Sequence, residues 1–285
     1  MRAEPITGPA AFHGEGPVWW EEWGGLRFVD LFAGDVLTLA ADGVERRHVG
    51  TVAAALRPRR DGGAVIALER TFAFEAPDGA LTVLPEVWSD DTIRFNDGGC
   101  DPDGRFYCGT MAWDARPGAG SLYRLDRDHS VTLVLDGVTI SNGLEWSPDG
   151  SHAYYADTAT GRIDVFDYDA ASGLTNRRPF AEIASEHGWP DGLTVDADGG
   201  VWVALYGGGA VNRYLEGRLD AVVEVPTPKP TACTFGGPGL STLYVTTTQE
   251  DLPPGSDPLA GSLFAVEPGV AGLPARAFAG GGAGG

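Results

Sequence analysis

Apolar and polar positions alternate along short stretches of this chain, as in Ser121-Leu122-Tyr123-Arg124-Leu125 and Arg162-Ile163-Asp164-Val165-Phe166. Period-two alternation over five or so residues is the mark of a half-buried strand. No stretch sustains the spacing of an amphipathic helix; the segment around Ser185 to Gly188 is too short to be one. The pattern predicts an all-β chain of many short strands.

The strands are separated by turns, and the turns repeat. Asn96-Asp97-Gly98-Gly99-Cys100-Asp101-Pro102-Asp103-Gly104 precedes Arg105-Phe106-Tyr107. Asn142-Gly143-Leu144-Glu145-Trp146-Ser147-Pro148-Asp149-Gly150 precedes Ala153-Tyr154-Tyr155, and Asp191-Gly192-Leu193-Thr194-Val195-Asp196-Ala197-Asp198-Gly199 precedes Val201-Trp202-Val203. Pro pre-sets the second residue of a type I turn, Asp tolerates the third, and Gly accepts the positive φ that follows. The phase extends back to Glu15 in Gly14-Glu15-Gly16-Pro17-Val18-Trp19 and to Ala54 in a degenerate copy, and forward to Ala232. Six copies about 45 residues apart fit a six-bladed β-propeller with four-stranded blades, an architecture that also leaves few exposed strand edges. Closing the ring requires the chain ends to meet, and the expectation is a strand near Ile6 to Phe12 paired with the segment near Ala275 to Phe278. One domain is expected over 1–279, followed by a flexible Gly-rich tail over 280–285.

Composition narrows the function. Forty acidic residues against 20 basic ones give a net charge of −20, which argues against nucleic acid or an anionic membrane surface as partner. No apolar run approaches the length of a membrane span, and the amino-terminal stretch has no signal-peptide core, so a cytoplasmic protein is expected, a monomer or a weak homo-oligomer. Cys100, Cys108 and Cys233 are odd in number and lack CxxC spacing, so they read as reduced thiols.

In a propeller, equivalent positions lie at equivalent radii. Glu15, Asn96, Asn142 and Asp191 therefore converge on one end of the central channel. Two carboxylates and two amide oxygens are the donor set of a hard divalent cation, calcium first, with zinc or manganese as alternatives. Asn and Asp before Gly are common turn formers, but Glu15 between two glycines is not. Asp97, Asp101, Asp103, Asp149 and Asp198 read as turn residues, and His13 as a loop residue. The five histidines show no HxH or HExxH spacing, and no Gly-x-Ser-x-Gly elbow is present.

Gly14-Glu15-Gly16-Pro17-Val18-Trp19, Arg94-Phe95-Asn96-Asp97-Gly98, Gly109-Thr110-Met111, Ser141-Asn142-Gly143-Leu144 and Pro190-Asp191-Gly192, in this order along nearly the whole chain, resemble the SMP-30/gluconolactonase/LRE family. The resemblance implies a six-bladed propeller with one divalent cation in its channel and hydrolysis of a sugar lactone to the aldonic acid. It implies Glu15, Asn142 and Asp191 as metal ligands, with Arg94, Asn96 and Asp114 contacting substrate. Asp114 stands where the family carries Glu, a departure that bears on which lactone is taken. Asp191 is then the candidate general base toward a metal-polarised ester carbonyl. The alternatives are a non-catalytic calcium-binding regulatory propeller and a metal-dependent aryl-ester or organophosphate hydrolase. Arg94, Asn96 and Asp114 together favour a polyhydroxylated substrate, and Trp113 could close over it.

Overall fold

The computed structural model describes residues 1–281; positions 282–285 of the expected tail lie outside the described residues. Among the described residues, 24 strands form six four-stranded antiparallel sheets, joined by turns and by four single-turn 3-10 segments, one of them Ser185–His187. The inner strands of blades I to VI are Gly14–Trp20, Ala55–Pro58, Ile93–Cys100, Ser141–Trp146, Trp189–Val195 and Pro230–Gly236. Each packs on the inner strands of both neighbouring blades, so the six close a ring around a channel. The fold is the six-bladed β-propeller that the turns predict.

Between each pair of blades lies one apolar cluster. Phe72, Phe95 and Phe106 fill the space between blades II and III, and Tyr107, Trp146 and Tyr155 that between III and IV. Apolar burial is the main favourable term in folding, so each blade is held by its neighbours as much as by its own ladder. The repeated turns have the expected form: Gly104, Gly150 and Gly199 each donate to the carbonyl three residues back and sit at φ +77°, +74° and +86°. All three cysteines are buried and unbridged. Among the described residues, no helix is long and apolar enough to cross a membrane.

The closure differs from the expectation. Glu4–Pro5, upstream of Ile6, pairs antiparallel with Phe264–Val266 and supplies the fourth strand of blade VI. The segment near Phe278 lies instead across blades II and III. There Phe278 N donates to Pro58 O at 2.8 Å, Ala279 N donates to Gly104 O at 2.8 Å, and the Phe278 ring is fully buried. A two-residue edge strand leaves no alternation to read, whereas Phe278 is placed by the apolar cluster it completes.

Candidate active site

In five of the six inner strands the ladder slips at or beside the position marked by the repeat: between Glu15 and Val18, Phe95 and Gly98, Ser141 and Leu144, Pro190 and Leu193, and Pro230 and Ala232. Such a β-bulge re-aims a side chain that regular pairing would keep on the sheet face. Blade II, where the repeat is degenerate, pairs without a slip. In blade VI the slip falls on Thr231, not Ala232, and the Thr231 hydroxyl donates to Gly14 O at 2.5 Å. Crowding requires glycine beside the bulges: a Cβ on Gly143 would lie 2.6 Å from Leu193 N.

The bulges deliver Glu15, Asn96, Asn142 and Asp191 to one cavity of about 210 Å3, together with Arg94, His13, Met111, Ile140, Thr158, Tyr206 and Glu250. Arg94 Nη1 donates to Asn96 Oδ1 at 2.6 Å and to Phe95 O at 3.0 Å. Asn96 Nδ2 donates to Ser141 O at 2.9 Å and to Asn142 Oδ1 at 3.2 Å. Asn142 Nδ2 donates to Thr158 Oγ1 at 2.8 Å, and that hydroxyl donates onward to Pro190 O at 2.8 Å. The Arg94 guanidinium carbon lies 5.3 Å from the Phe32 ring centre and 5.0 Å from that of Trp113, while its buried Nε has no partner.

Electrostatics mark the carboxylates. Burial, and then the charge of Asp97, push Glu15 up to about 8. Burial, and then Glu15 and Asp97, hold Asp191 well above the usual carboxylate range. Asp97 itself is raised by burial, although Arg57 opposes this. Burial lowers Arg94 to about 10 despite the opposing pull of Glu250, Glu15 and Asp191. Glu250 goes the other way: burial raises it, but the His13 hydrogen bond and charge, together with Arg94 and Lys229, leave it below its ordinary value.

Five of the six residues singled out from sequence thus meet in the cavity, and Asp114 does not. Its carboxylate lies on an exposed turn, accepts from Arg116 Nη1 at 3.0 Å and is absent from the cavity wall. Its neighbour Trp113 is the one that reaches Arg94. His13, read as a loop residue, is buried; its Nδ1 lies 2.9 Å from Thr248 Oγ1 and 3.2 Å from Glu250 Oε2. Asp97, read as a turn residue, is buried beside Asn96 in the bulge and accepts from Gly98 N at 2.7 Å. Glu250, Tyr206 and Thr158 stand in no motif the sequence singles out, and Met111 only in the Gly109-Thr110-Met111 run, although a second repeat phase carries all four. Each stands at or just beyond the end of the second strand of its blade, and that strand, running antiparallel to the first, ends at the mouth where the bulges open.

Among the described residues, no three His, Cys, Asp or Glu side chains cluster as a metal site by themselves. An ion must therefore draw on Asn142 as well as on Glu15 and Asp191. Because Thr158 occupies the Asn142 Nδ2, the amide oxygen is left toward the cavity. Two buried carboxylates, each held above its ordinary value, with an oriented amide oxygen on the same cavity wall, are a donor set that fits a hard cation.

A family model described as the SMP-30/gluconolactonase/LRE-like region matches residues 13–249. A regucalcin from Xenopus laevis is 38% identical over 283 residues, covering 94% of this chain and 95% of its own. A luciferin-regenerating enzyme of known structure superposes with a TM-score of 0.90 at 31% identity, over 97% of this chain and 99% of its own. A regucalcin from Agrobacterium tumefaciens, described as a calcium-binding protein, superposes with a TM-score of 0.89 at 30% identity, over 96% and 95% of the two chains. The chain belongs to the SMP-30/gluconolactonase/LRE-like family.

Proposed function

We propose that this protein is a divalent-metal-dependent hydrolase that opens a lactone to the free hydroxy acid. The observation that carries the reading is Arg94: a buried guanidinium held between two aromatic rings beside Glu15 and Asp191. Binding of a cation alone has no use for a second buried positive charge at the same place. Family membership supports the same chemistry.

Glu15, Asn142 and Asp191 would hold the cation, calcium by donor type and by analogy with the calcium-binding relative. When bound, it supplies Lewis acidity to the lactone carbonyl. Asp191 takes the proton of the attacking water as the new C–O bond forms, and returns it to the ring oxygen as the ester C–O bond breaks. Arg94 steadies the negative charge that develops on the carbonyl oxygen: its Nη2 contacts only the Met111 sulfur, at 3.2 Å. Asn96 fixes the guanidinium through Oδ1 and fixes Asn142 through Nδ2, so its role is to position both. An aldono-lactone, expected from sequence, is one member of the substrate class.

The test is acid release from a panel of lactones at near-neutral pH, with EDTA and with added Ca²⁺, Zn²⁺ or Mn²⁺. Metal-dependent release above spontaneous hydrolysis is expected. Calcium binding without any such release would replace the enzyme by a calcium-binding propeller.

A further inference from the structure

A sugar lactone needs side chains with hydrogen-bonding capacity to spare, and the contacts expected to read its hydroxyls offer little. Both ends of the Asn96 amide are occupied, by Arg94 on one side and by Ser141 O and Asn142 on the other. Asp114 is turned out to Arg116. Of the three contacts expected to read hydroxyls, only Arg94 keeps spare donor capacity, at an Nη2 whose one contact is the Met111 sulfur at 3.2 Å.

The mouth is built differently. Phe12, Phe32 and Trp113 form a row, with ring centres 6.3 Å apart between the first two and 6.0 Å between the last two. The row is continuous with the cavity wall, since Phe32 lies 4.7 Å from the His13 ring and shares the Arg94 guanidinium with Trp113. Yet Phe12 is 49% and Trp113 44% exposed, so the ends of the row stand open to solvent. Across the ladder from Tyr206, a lining residue, Trp189 is 43% exposed as well. Ile140 and Met111 extend the apolar wall inward. Exposed aromatic groups that adjoin a polar site mark the surface a ligand covers.

We infer that the lactone this site takes carries an apolar alkyl or aryl substituent, which lies against the Phe12–Phe32–Trp113 row while the ester faces Arg94, Glu15 and Asp191. This rests on the lactonase reading. Discrimination by such a row is a matter of removing apolar surface from water, and one methylene in an apolar pocket is worth about 10- to 200-fold.

The calcium-loaded protein is assayed with three δ-lactones of one ring size: δ-gluconolactone, δ-valerolactone and δ-decalactone. The expected kcat/KM for δ-decalactone exceeds that for δ-gluconolactone about tenfold or more, mainly through KM. Trp113→Ala collapses the decalactone-to-valerolactone ratio, and Trp113→Phe keeps it. Equal or faster hydrolysis of δ-gluconolactone, or a ratio unmoved by Trp113→Ala, overturns the inference and leaves the lactonase reading intact. Equilibrium dialysis with 5-hydroxydecanoate and gluconate reads the same surface without turnover. Binding of 5-hydroxydecanoate that depends on Trp113, with no lactone hydrolysed, removes the lactonase reading but keeps the apolar ligand. Neither hydrolysis nor Trp113-dependent binding removes both.

Discussion

The Asn96 amide donates to Asn142 Oδ1 at 3.2 Å, joining the inner strands of blades III and IV across the channel wall. The same Asn142 amide donates its nitrogen to Thr158, whose hydroxyl proton is already committed to Pro190 O. Thr158 can therefore only accept from Asn142, and this fixes which end of the amide is oxygen toward the cavity. The orientation of the Asn142 amide, a proposed metal ligand, is thus set by a hydroxyl on a blade that contributes no carboxylate.

Thr158→Val removes that acceptor and leaves Asn142 Nδ2 and Pro190 O without partners. Calcium affinity is expected to fall about tenfold, the lower end of what a lost supporting hydrogen bond costs a metal site. Stability should fall by about 1–3 kcal/mol for the unpaired groups. Thr158→Ser keeps the hydroxyl and should keep both. Isothermal titration with Ca²⁺ and a urea midpoint measure the two effects separately, and an unchanged affinity in Thr158→Val would remove Thr158 from the site.

Asp191→Asn should separate stability from function. It abolishes turnover and calcium binding. In EDTA it also relieves the opposition between Asp191 and Glu15, both of which are buried. The metal-free melting temperature at pH 9 should therefore rise, by about 3 °C for each kcal/mol relieved. A lower midpoint would mean that the two carboxylates do not oppose one another.

Metal-free stability should depend on pH in a defined window. Glu15 has an ordinary value of 4.5 and a folded value of about 8. Below the first, both states hold the proton; between the two, the folded chain keeps a proton that the unfolded chain has released. The Glu15 contribution therefore falls as pH rises from about 4.5 to about 8 and then levels off, and Asp191 acts in the same direction. Carboxylates held below their ordinary values, such as Asp35 and Glu250, titrate beneath this window. Calcium requires both carboxylates deprotonated, so its affinity should rise through the same range. Melting curves from pH 5 to 9, in EDTA and in excess Ca²⁺, should converge toward low pH and diverge toward high pH. A flat profile in EDTA would contradict the assignment.

The C-terminal segment should matter to stability more than the strand that closes the ring. Phe278 is fully buried and stacks on Phe74 at 5.6 Å between ring centres. Phe278→Ala should cost about 3–5 kcal/mol. Glu4→Ala, at an exposed position of the closing strand, should cost less than about 0.5 kcal/mol. Guanidinium unfolding of the two variants gives the comparison directly, and equal costs would mean that Phe278 contributes no more than a surface residue.

What the sequence made legible followed one periodicity. Turn spacing gives six blades, and the residue at one phase of the inner strand gives Glu15, Asn96, Asn142 and Asp191, because radial symmetry turns equal phase into equal radius. The same logic applied to the second strand would have reached Met111, Thr158, Tyr206 and Glu250, but those four share no residue type and so draw no attention. Asp97 escaped for the opposite reason. Asp before Gly is so ordinary in a turn that nothing in the sequence distinguishes one buried in a bulge. Asp114 is the residue that the family resemblance implies after Gly109-Thr110-Met111, whereas the backbone carries Trp113 to Arg94 and turns Asp114 outward to Arg116. Local composition cannot reveal that choice, because it depends on which side of a strand end faces the mouth.

Arg94 is where the mechanism can be tested most directly. Its guanidinium uses a planar fork: Nη1 reaches Asn96 Oδ1 and Phe95 O, and the plane lies beside the rings of Phe32 and Trp113. Lysine keeps the positive charge but offers one compact ammonium with no second edge, so it can satisfy Asn96 or face the substrate but not both. Arg94→Lys should therefore raise KM about tenfold while kcat stays within about threefold, because charge at the oxyanion is kept and orientation is lost. If kcat collapses while KM is unchanged, the fork acts only in the transition state. If both parameters are unchanged, Arg94 neither binds nor stabilises the substrate, and the case for catalysis over simple calcium binding loses the residue it depends on.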